Sequence, residues 1–282
     1  MPRYGTSNIT LSFPPFRGMV KLLVLINAAI YLVMALLRAS GSGFGAAAML
    51  MLGLVPDAVM HGWVWQVVTY LFIHSGFFHV LFNMLTLWMF GATLEQDWGS
   101  KRFREFYFFC GIGAALITMA VSYTRVLGLA PTQLTVGASG AVYGILMAFG
   151  ILYGDQQMFL FPLPIAIKAK YVVGILAFIA LAGAVSPDAG GIANFAHLGG
   201  LLFGWIYVKF LPRRGLGFLF SERYYGVRNS YFRWKRARAA RKFEVYMRKH
   251  NDDPKRQYFD EHGNYRGQDP DPSGDDRKPW VN

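Results

Sequence analysis

Six polar residues that could do chemistry lie, in three pairs, within otherwise apolar stretches of this sequence. The pairs are Ser139 with Tyr143 in "GASGAVYG", His79 with Asn83 in "HVLFNM", and Asn194 with His197 in "ANFAHLGGLLFG". A serine hydroxyl is a weak nucleophile until a base takes its proton, and His197 is the candidate base for Ser139. Taken singly, each residue is more simply explained by helix packing or hydrogen bonding within the membrane. The chemical interpretation therefore depends on whether the elements that carry the pairs bring them together.

Composition indicates that these elements are membrane helices. The chain has 282 residues, of which 54% are hydrophobic and only 16% charged, and its mean hydropathy is positive. That balance exceeds what an ordinary soluble domain tolerates. Apolar runs near the length that crosses a bilayer lie at 19–37, 72–94, 105–121, 171–187 and 194–211. The run that begins at Ser139 is a sixth and is short, so the sequence predicts an all-α polytopic membrane protein with six helices and a short fourth helix.

The distribution of Lys and Arg predicts the orientation of these helices, because cytoplasmic loops retain basic residues. Basic residues concentrate in the N-terminal segment, in the 95–105 and 154–170 connections, and in the region after Arg213. The 38–71, 122–138 and 188–193 connections carry few or none, which places them outside. Both termini are predicted to be cytoplasmic, and the first apolar run reads as a retained helix rather than a removable signal peptide.

The sequence divides into three regions. We expect a cytoplasmic N-terminal segment at 1–18, a six-helix membrane domain at 19–211 and a basic, partly disordered cytoplasmic tail at 212–282. Within the tail, residues 213–250 hold 12 Lys or Arg against 2 acidic residues. The tail could form a basic amphipathic helix that lies on anionic lipid, around "YFRWKRARAARKFEVYMRKH", or it could be a solvated extension. Nucleic-acid binding is disfavoured because the basic run follows a membrane domain directly. Disorder is expected beyond Asp252.

Helix geometry places the polar groups in one layer. At ~1.5 Å per residue, His79, Asn83, Ser139 and His197 lie ~17–22 Å from the inner ends of their helices. The short Ser139 helix requires the preceding loop to re-enter the membrane, where irregular backbone must be buried or line a watery cavity. Close helix approach is predicted from two GxxxG pairs, Gly140 with Gly144 and Gly200 with Gly204. Because the sequence places no acidic residue at this depth, we expect a Ser-His dyad rather than a triad.

Other classes of site have less support. His74 and His79 are five residues apart, which does not put both on one helical face, and with the single cysteine Cys110 no metal site is predicted. A soluble-hydrolase G-x-S-x-G elbow is excluded because Ala141 stands at the second glycine position. An ion transporter would be expected to bury carboxylates at mid-membrane, whereas Glu95 and Glu105 fall at helix ends.

Together these motifs resemble the rhomboid family of intramembrane serine proteases over about residues 19–211. "HVLFNM" is similar to the family's H-x-x-x-N, "GASGAVYG" to its G-x-S-G with a tyrosine four residues on, and "AHLGGLLFG" to its A-H-x-x-G-x-x-x-G. "FGATLEQDWGS" also resembles the segment that closes the family's second helix. The order and spacing of the set are specific, although each motif alone is weak.

The resemblance implies a role for each site residue. Ser139 would be the nucleophile and His197 the general base and acid, with Tyr143 packed against His197. The oxyanion would be held by His79, Asn83 and the Ser139 backbone N–H. Gly137 would give the scissile bond room, and Gly140 would support close packing beside Ser139.

The resemblance also implies the setting. Substrates would be membrane proteins whose single transmembrane helix unwinds near the outer surface, and they would be cut beside small residues. The protein would lie in a bacterial inner (plasma) membrane and would need no cofactor. The alternative is a catalytically silent relative that binds transmembrane helices as a chaperone or trafficking factor. One departure is Gln66 after Trp65, where the family often has Arg; this substitution calls the anchoring of the first outer loop into question.

Overall fold

The computed structural model describes residues 14–125, 129–159, 166–185, 191–210 and 216–250, and these are mainly helical. The helices are α1 (Gly18–Ala39), α2 (Phe44–Leu52), α3 (Pro56–Met60), α4 (Gln66–Thr69), α5 (Phe77–Thr86), α6 (Ala92–Trp98), α7 (Ser100–Thr124), α8 (Ser139–Leu152), α9 (Ala169–Val185), α10 (Gly191–Phe210) and α11 (Leu216–His250). Strands β1 (Gln157–Phe159) and β2 (Ala166–Lys168) form one antiparallel pair in which Met158 faces Ile167. The chain divides into two compact units, Met1–Leu219 and Phe220–Asn282.

Within the described ranges, four helices are long and apolar enough to cross a membrane. They are Gly18–Ala39, Phe77–Trp98, Ser100–Thr124 and Gly191–Phe210. The second is continuous because a π-helical stretch, Leu87–Gly91, joins α5 to α6. The apolar helices α8 and α9 are shorter. The protein is therefore an integral, multi-pass membrane protein whose described residues are mainly α-helical, and each of the six predicted apolar runs contains a helix.

Two boundaries of the predicted spans were wrong. The run predicted at 72–94 begins as a helix only at Phe77, because a 3₁₀ turn at Tyr70–Phe72 is followed by a non-helical stretch at 73–76 that contains a bend. The connection predicted at 95–105 is a single residue, Gly99. Its φ of +78° ends α6 before α7 begins at Ser100. Hydropathy marks apolar composition and does not register these backbone breaks.

Small residues bring α8 and α10 into backbone contact. A Cβ at Gly200 would overlap the carbonyl oxygen of Gly140, and one at Gly204 would lie 2.7 Å from the carbonyl oxygen of Gly144. The two predicted GxxxG pairs therefore face each other across this contact. Since Ser139 immediately precedes Gly140 and His197 lies one turn before Gly200, the contact sets these two side chains at the same level.

A buried carboxylate joins the start of α1 to the junction of α6 and α7. Glu95 accepts hydrogen bonds from the backbone N–H groups of Met19, at 2.6 Å, and Val20, at 2.8 Å. The Ser100 hydroxyl also donates to Glu95. The carboxylate satisfies two of the backbone donors that the first turn of any helix leaves unpaired.

Gln66 anchors the segment between α1 and α5. Its side chain is fully buried, its Oε1 accepts from the Val55 N–H at 2.9 Å, and its Nε2 donates to the Leu50 carbonyl at 2.8 Å. Trp65 adds a bond from its Nε1 to the Met51 carbonyl at 2.9 Å. Glutamine therefore supplies loop contacts at this position, and the anchoring questioned from the sequence is present.

The described part of the basic tail contains one long helix, α11. It includes the basic helix predicted at 231–250, and its residues 224–249 are exposed. The expectation of disorder beyond Asp252 lies outside the described residues, as does most of the predicted N-terminal segment.

Candidate active site

Ser139 is the first residue of α8, at the end of an irregular segment that is pinned by backbone hydrogen bonds. Thr135 and Leu54 exchange N–H to carbonyl bonds at 2.8 and 2.9 Å, and the Gly137 N–H donates to the Tyr70 carbonyl at 2.9 Å. α8 has 14 residues, which at ~1.5 Å per residue gives ~21 Å, short of the roughly 30 Å of a bilayer core. The pinned segment therefore holds the serine at a defined place without a full-length helix.

The nucleophile and base candidates are in contact. Ser139 Oγ and His197 Nε2 lie 2.9 Å apart, and both residues are half-buried. The ring of Tyr143 stacks on the imidazole of His197, with centroids 4.2 Å apart and an interplanar angle of 6°. His197 Nδ1 is buried and has no hydrogen-bond partner among the described residues. In that part of the chain no carboxylate orients the imidazole.

His79 and Asn83 face one space beside Gly137, two residues before Ser139. Gly137 has φ +119°, and a Cβ built on it would lie 2.6 Å from His79 Nε2 and 3.7 Å from Asn83 Nδ2. Asn83 Nδ2 is buried without a partner among the described residues. Two nitrogens converging on one small space, one of them an unused donor, suit a developing negative charge.

Gly140 supports the site by close packing. A Cβ there would lie 2.6 Å from Ala114 Cβ and 3.2 Å from the Tyr70 hydroxyl. Tyr70 is itself fixed by donating to the Gly111 carbonyl at 2.7 Å. Asn194 does not join the site, because its side chain lies against Gly183 of α9.

Sequence reasoning considered His74 only as a metal ligand and did not consider Ser75, yet both lie at this site. His74 is buried, its Nε2 accepts from the Ala138 N–H at 3.4 Å, and its ring meets that of His79 edge-on at 5.0 Å. Ser75 Oγ lies 3.1 Å from His79 Nδ1. Helical-face spacing does not apply to either residue because both precede the start of α5. The available signal was the crowding of polar residues in "HSGFFH".

A metal ion has little to bind in the described ranges, where no three His, Cys, Asp or Glu side chains gather. The chemistry available to this arrangement is that of a polarised serine beside an anion-stabilising space. A serine-histidine pair of this kind, in a bundle of membrane helices, is the arrangement expected of a membrane-embedded serine hydrolase.

Comparison with known proteins identifies the family. The Rhomboid domain model matches residues 61–214, more than half of the chain, and the chain belongs to the rhomboid family. The resemblance inferred from the motifs is thereby confirmed.

Curated relatives come from plants, yeast and bacteria. RHOMBOID-like protein 1 of Arabidopsis thaliana is 32% identical over 178 residues, which cover 59% of this chain and 38% of that protein. Rhomboid protein 1, mitochondrial, of Saccharomyces cerevisiae is 32% identical over 143 residues, 50% of this chain and 40% of that protein. Rhomboid protease GluP of Bacillus subtilis is 31% identical over 162 residues, 56% of this chain and 28% of that protein. The chain thus spans two fifths or less of the length of these relatives.

Proposed function

We propose that this protein is an intramembrane serine endopeptidase that uses Ser139 and His197 as a catalytic dyad. The observation that carries the proposal is the 2.9 Å contact between Ser139 Oγ and His197 Nε2 next to the space faced by His79 and Asn83. Family membership supports it, since the related GluP of Bacillus subtilis is named a rhomboid protease.

Acylation begins when His197 Nε2 takes the proton of Ser139 Oγ as the oxygen attacks the scissile carbonyl carbon. The carbonyl oxygen becomes an oxyanion that accepts hydrogen bonds from His79 Nε2, Asn83 Nδ2 and the Ser139 backbone N–H. His197 then gives its proton to the peptide nitrogen, the C–N bond breaks, and the amine product leaves an acyl ester on Ser139.

Deacylation reverses the roles with water. His197 Nε2 takes a proton from a water molecule as its oxygen attacks the ester carbonyl, and the same donors stabilise the second oxyanion. The proton returns to Ser139 Oγ as the ester bond breaks, which releases the new carboxyl terminus.

In a triad a carboxylate orients the histidine through Nδ1. His197 Nδ1 has no partner in the described part of the chain, so the imidazole must be held in some other way. The parallel ring of Tyr143 fills that role by restricting rotation of the imidazole. Close packing of Gly140 and Gly200 keeps the two helices at the required separation.

The substrates would be transmembrane helices of other membrane proteins, unwound near the outer surface and cut beside small residues. The missing side chain at Gly137 would leave room for the scissile carbonyl of such a substrate beside His79. The distribution of basic residues supports six crossing helices with both termini cytoplasmic. The membrane we propose is a bacterial inner membrane, and the basic residues of α11 would suit contact with anionic lipid.

Covalent labelling tests the proposal directly. A fluorophosphonate reacts with an activated serine oxygen, so the purified protein should form one adduct that peptide mass spectrometry places on Ser139. His197→Ala should abolish labelling, whereas Ser122→Ala should not, since the Ser122 hydroxyl donates to the Met119 carbonyl of its own helix, away from the site. An adduct on another serine, or labelling that survives His197→Ala, would overturn the proposed dyad.

A further inference from the structure

Ser75 contacts the side of His79 that faces away from Gly137. Ser75 is exposed and lies just before α5, and its Oγ is 3.1 Å from His79 Nδ1. The other ring nitrogen, Nε2, lies 2.6 Å from where a Gly137 Cβ would stand. The two nitrogens of one imidazole therefore have different neighbours, a hydroxyl on one side and the oxyanion space on the other.

Only one tautomer of His79 suits both of these neighbours during catalysis. A neutral imidazole has one N–H donor and one acceptor nitrogen. When the Ser75 hydroxyl donates to Nδ1, the proton must sit on Nε2, where it can be donated to an oxyanion. The opposite tautomer would point a lone pair at the developing negative charge, which is repulsive.

The backbone of Ser75 is held from α1. Arg38 Nη1 donates to the Ser75 carbonyl at 3.0 Å, while Arg38 Nε donates to the Met34 carbonyl at 3.3 Å. Arg38 is thus fixed on its own helix and in turn fixes the short non-helical segment before α5. This contact keeps the Ser75 hydroxyl within reach of the imidazole although the residue is exposed.

We propose that Ser75 is a positioning residue that sets the tautomer and orientation of His79, so that Nε2–H is presented to the oxyanion. The inference rests on the proposed function, because it assigns a purpose to the oxyanion donor. It adds a residue that the rhomboid motifs in this sequence do not include. Arg38 contributes by holding the Ser75 carbonyl.

Nitrogen-15 NMR of histidine-labelled full-length protein in detergent micelles tests the tautomer without requiring catalysis. The His79 signals are assigned from a His79→Ala spectrum. We expect Nε2-protonated His79 in the wild type and in Ser75→Thr, which keeps the hydroxyl, and a mixture of tautomers in Ser75→Ala. The control Ser40→Ala removes an exposed serine hydroxyl that bonds Leu37 and Ser42 and should change nothing. Nδ1-protonated His79 in the wild type, or an unchanged tautomer in Ser75→Ala, would overturn the proposal.

Kinetics supply a second readout. Loss of one neutral hydrogen bond should lower kcat about 3- to 10-fold in Ser75→Ala with little change in KM, and Ser75→Thr should restore it. In a His79→Ala background the Ser75→Ala change should have no further effect, since Ser75 acts through His79. An equal loss in both backgrounds would contradict a role through His79. If the wild type cleaves nothing, the proposed function fails and the NMR result alone decides the tautomer assignment.

Discussion

The Tyr143 ring lies parallel to the His197 imidazole, with the ring centroids 4.2 Å apart. The two residues come from different helices, α8 and α10, which meet through facing glycines. His197 Nδ1 finds no partner among the described residues, so the imidazole is held there by this stacking and by the contact of its Nε2 with Ser139 Oγ.

Truncation of Tyr143 should therefore damage catalysis more than folding. We expect Tyr143→Ala to lower kcat about 10- to 100-fold, because a freely rotating imidazole loses its alignment with Ser139 Oγ. Tyr143→Phe keeps the ring and should retain activity within about threefold. Steady-state cleavage rates, with circular dichroism to verify folding, make the comparison. Equal losses in the two variants would show that the hydroxyl, rather than the stacked ring, is what matters.

A side chain at Gly137 should close the oxyanion space. The Cβ of Gly137→Ala would lie 2.6 Å from His79 Nε2 at a backbone φ of +119°. We expect kcat to fall about 100-fold or more, as when an oxyanion donor is lost. Gly62→Ala is the matched control, because Gly62 has φ +102° with nothing within 4 Å of a Cβ. It carries a similar backbone strain without touching the site, so a comparable activity loss in Gly62→Ala would assign the effect to strain.

Removing the Glu95 carboxylate should destabilise the fold. Glu95→Ala leaves the backbone N–H groups of Met19 and Val20 without the carboxylate to which they donate at 2.6 and 2.8 Å. The expected cost in the free energy of unfolding is about 2–4 kcal/mol. Reversible unfolding in mixed micelles measures it. The neighbouring Gln96→Ala removes only a bond to the Ala92 carbonyl of the same helix and should cost far less. Equal stabilities of the two variants would contradict a capping role for Glu95.

Gln66 should be required for the stability of the 40–65 segment. Gln66→Leu preserves the side-chain volume but leaves the Val55 N–H and the Leu50 carbonyl unpaired. We expect a loss of about 2–3 kcal/mol in the free energy of unfolding and faster proteolysis of the 40–65 segment. Gln133→Leu, at an exposed glutamine, is the control. Unchanged proteolysis in Gln66→Leu would show that the segment is held by other contacts.

Sequence alone predicted the central pairings because they depend on helix periodicity. Ser139 and Tyr143 are one turn apart on α8, and the GxxxG pairs that follow Ser139 and His197 predicted a close contact between their helices. Depth counted by rise per residue then matched Ser139 with His197, and the structure places them 2.9 Å apart.

The contributions of His74, Ser75 and Gln66 could not be predicted in the same way. His74 and Ser75 lie in non-helical backbone before α5, where no periodic rule relates a side chain to its neighbours. The Gln66 contacts depend on how the 40–65 segment folds back over α4, which involves hydrogen bonds between residues 11 to 16 positions apart. Such contacts follow from tertiary structure rather than from local pattern.

Cleavage of a model transmembrane substrate by the purified protein in liposomes tests the central claim most directly. Wild type is compared with Ser139→Ala and His197→Ala, and with Ser122→Ala and His61→Ala as matched controls away from the site. The account predicts cleavage by the wild type and both controls. It predicts no cleavage by Ser139→Ala or His197→Ala, although these variants are folded to the same extent as the wild type. Cleavage by Ser139→Ala at the wild-type rate, or no cleavage by the wild type across a broad substrate panel, would contradict it.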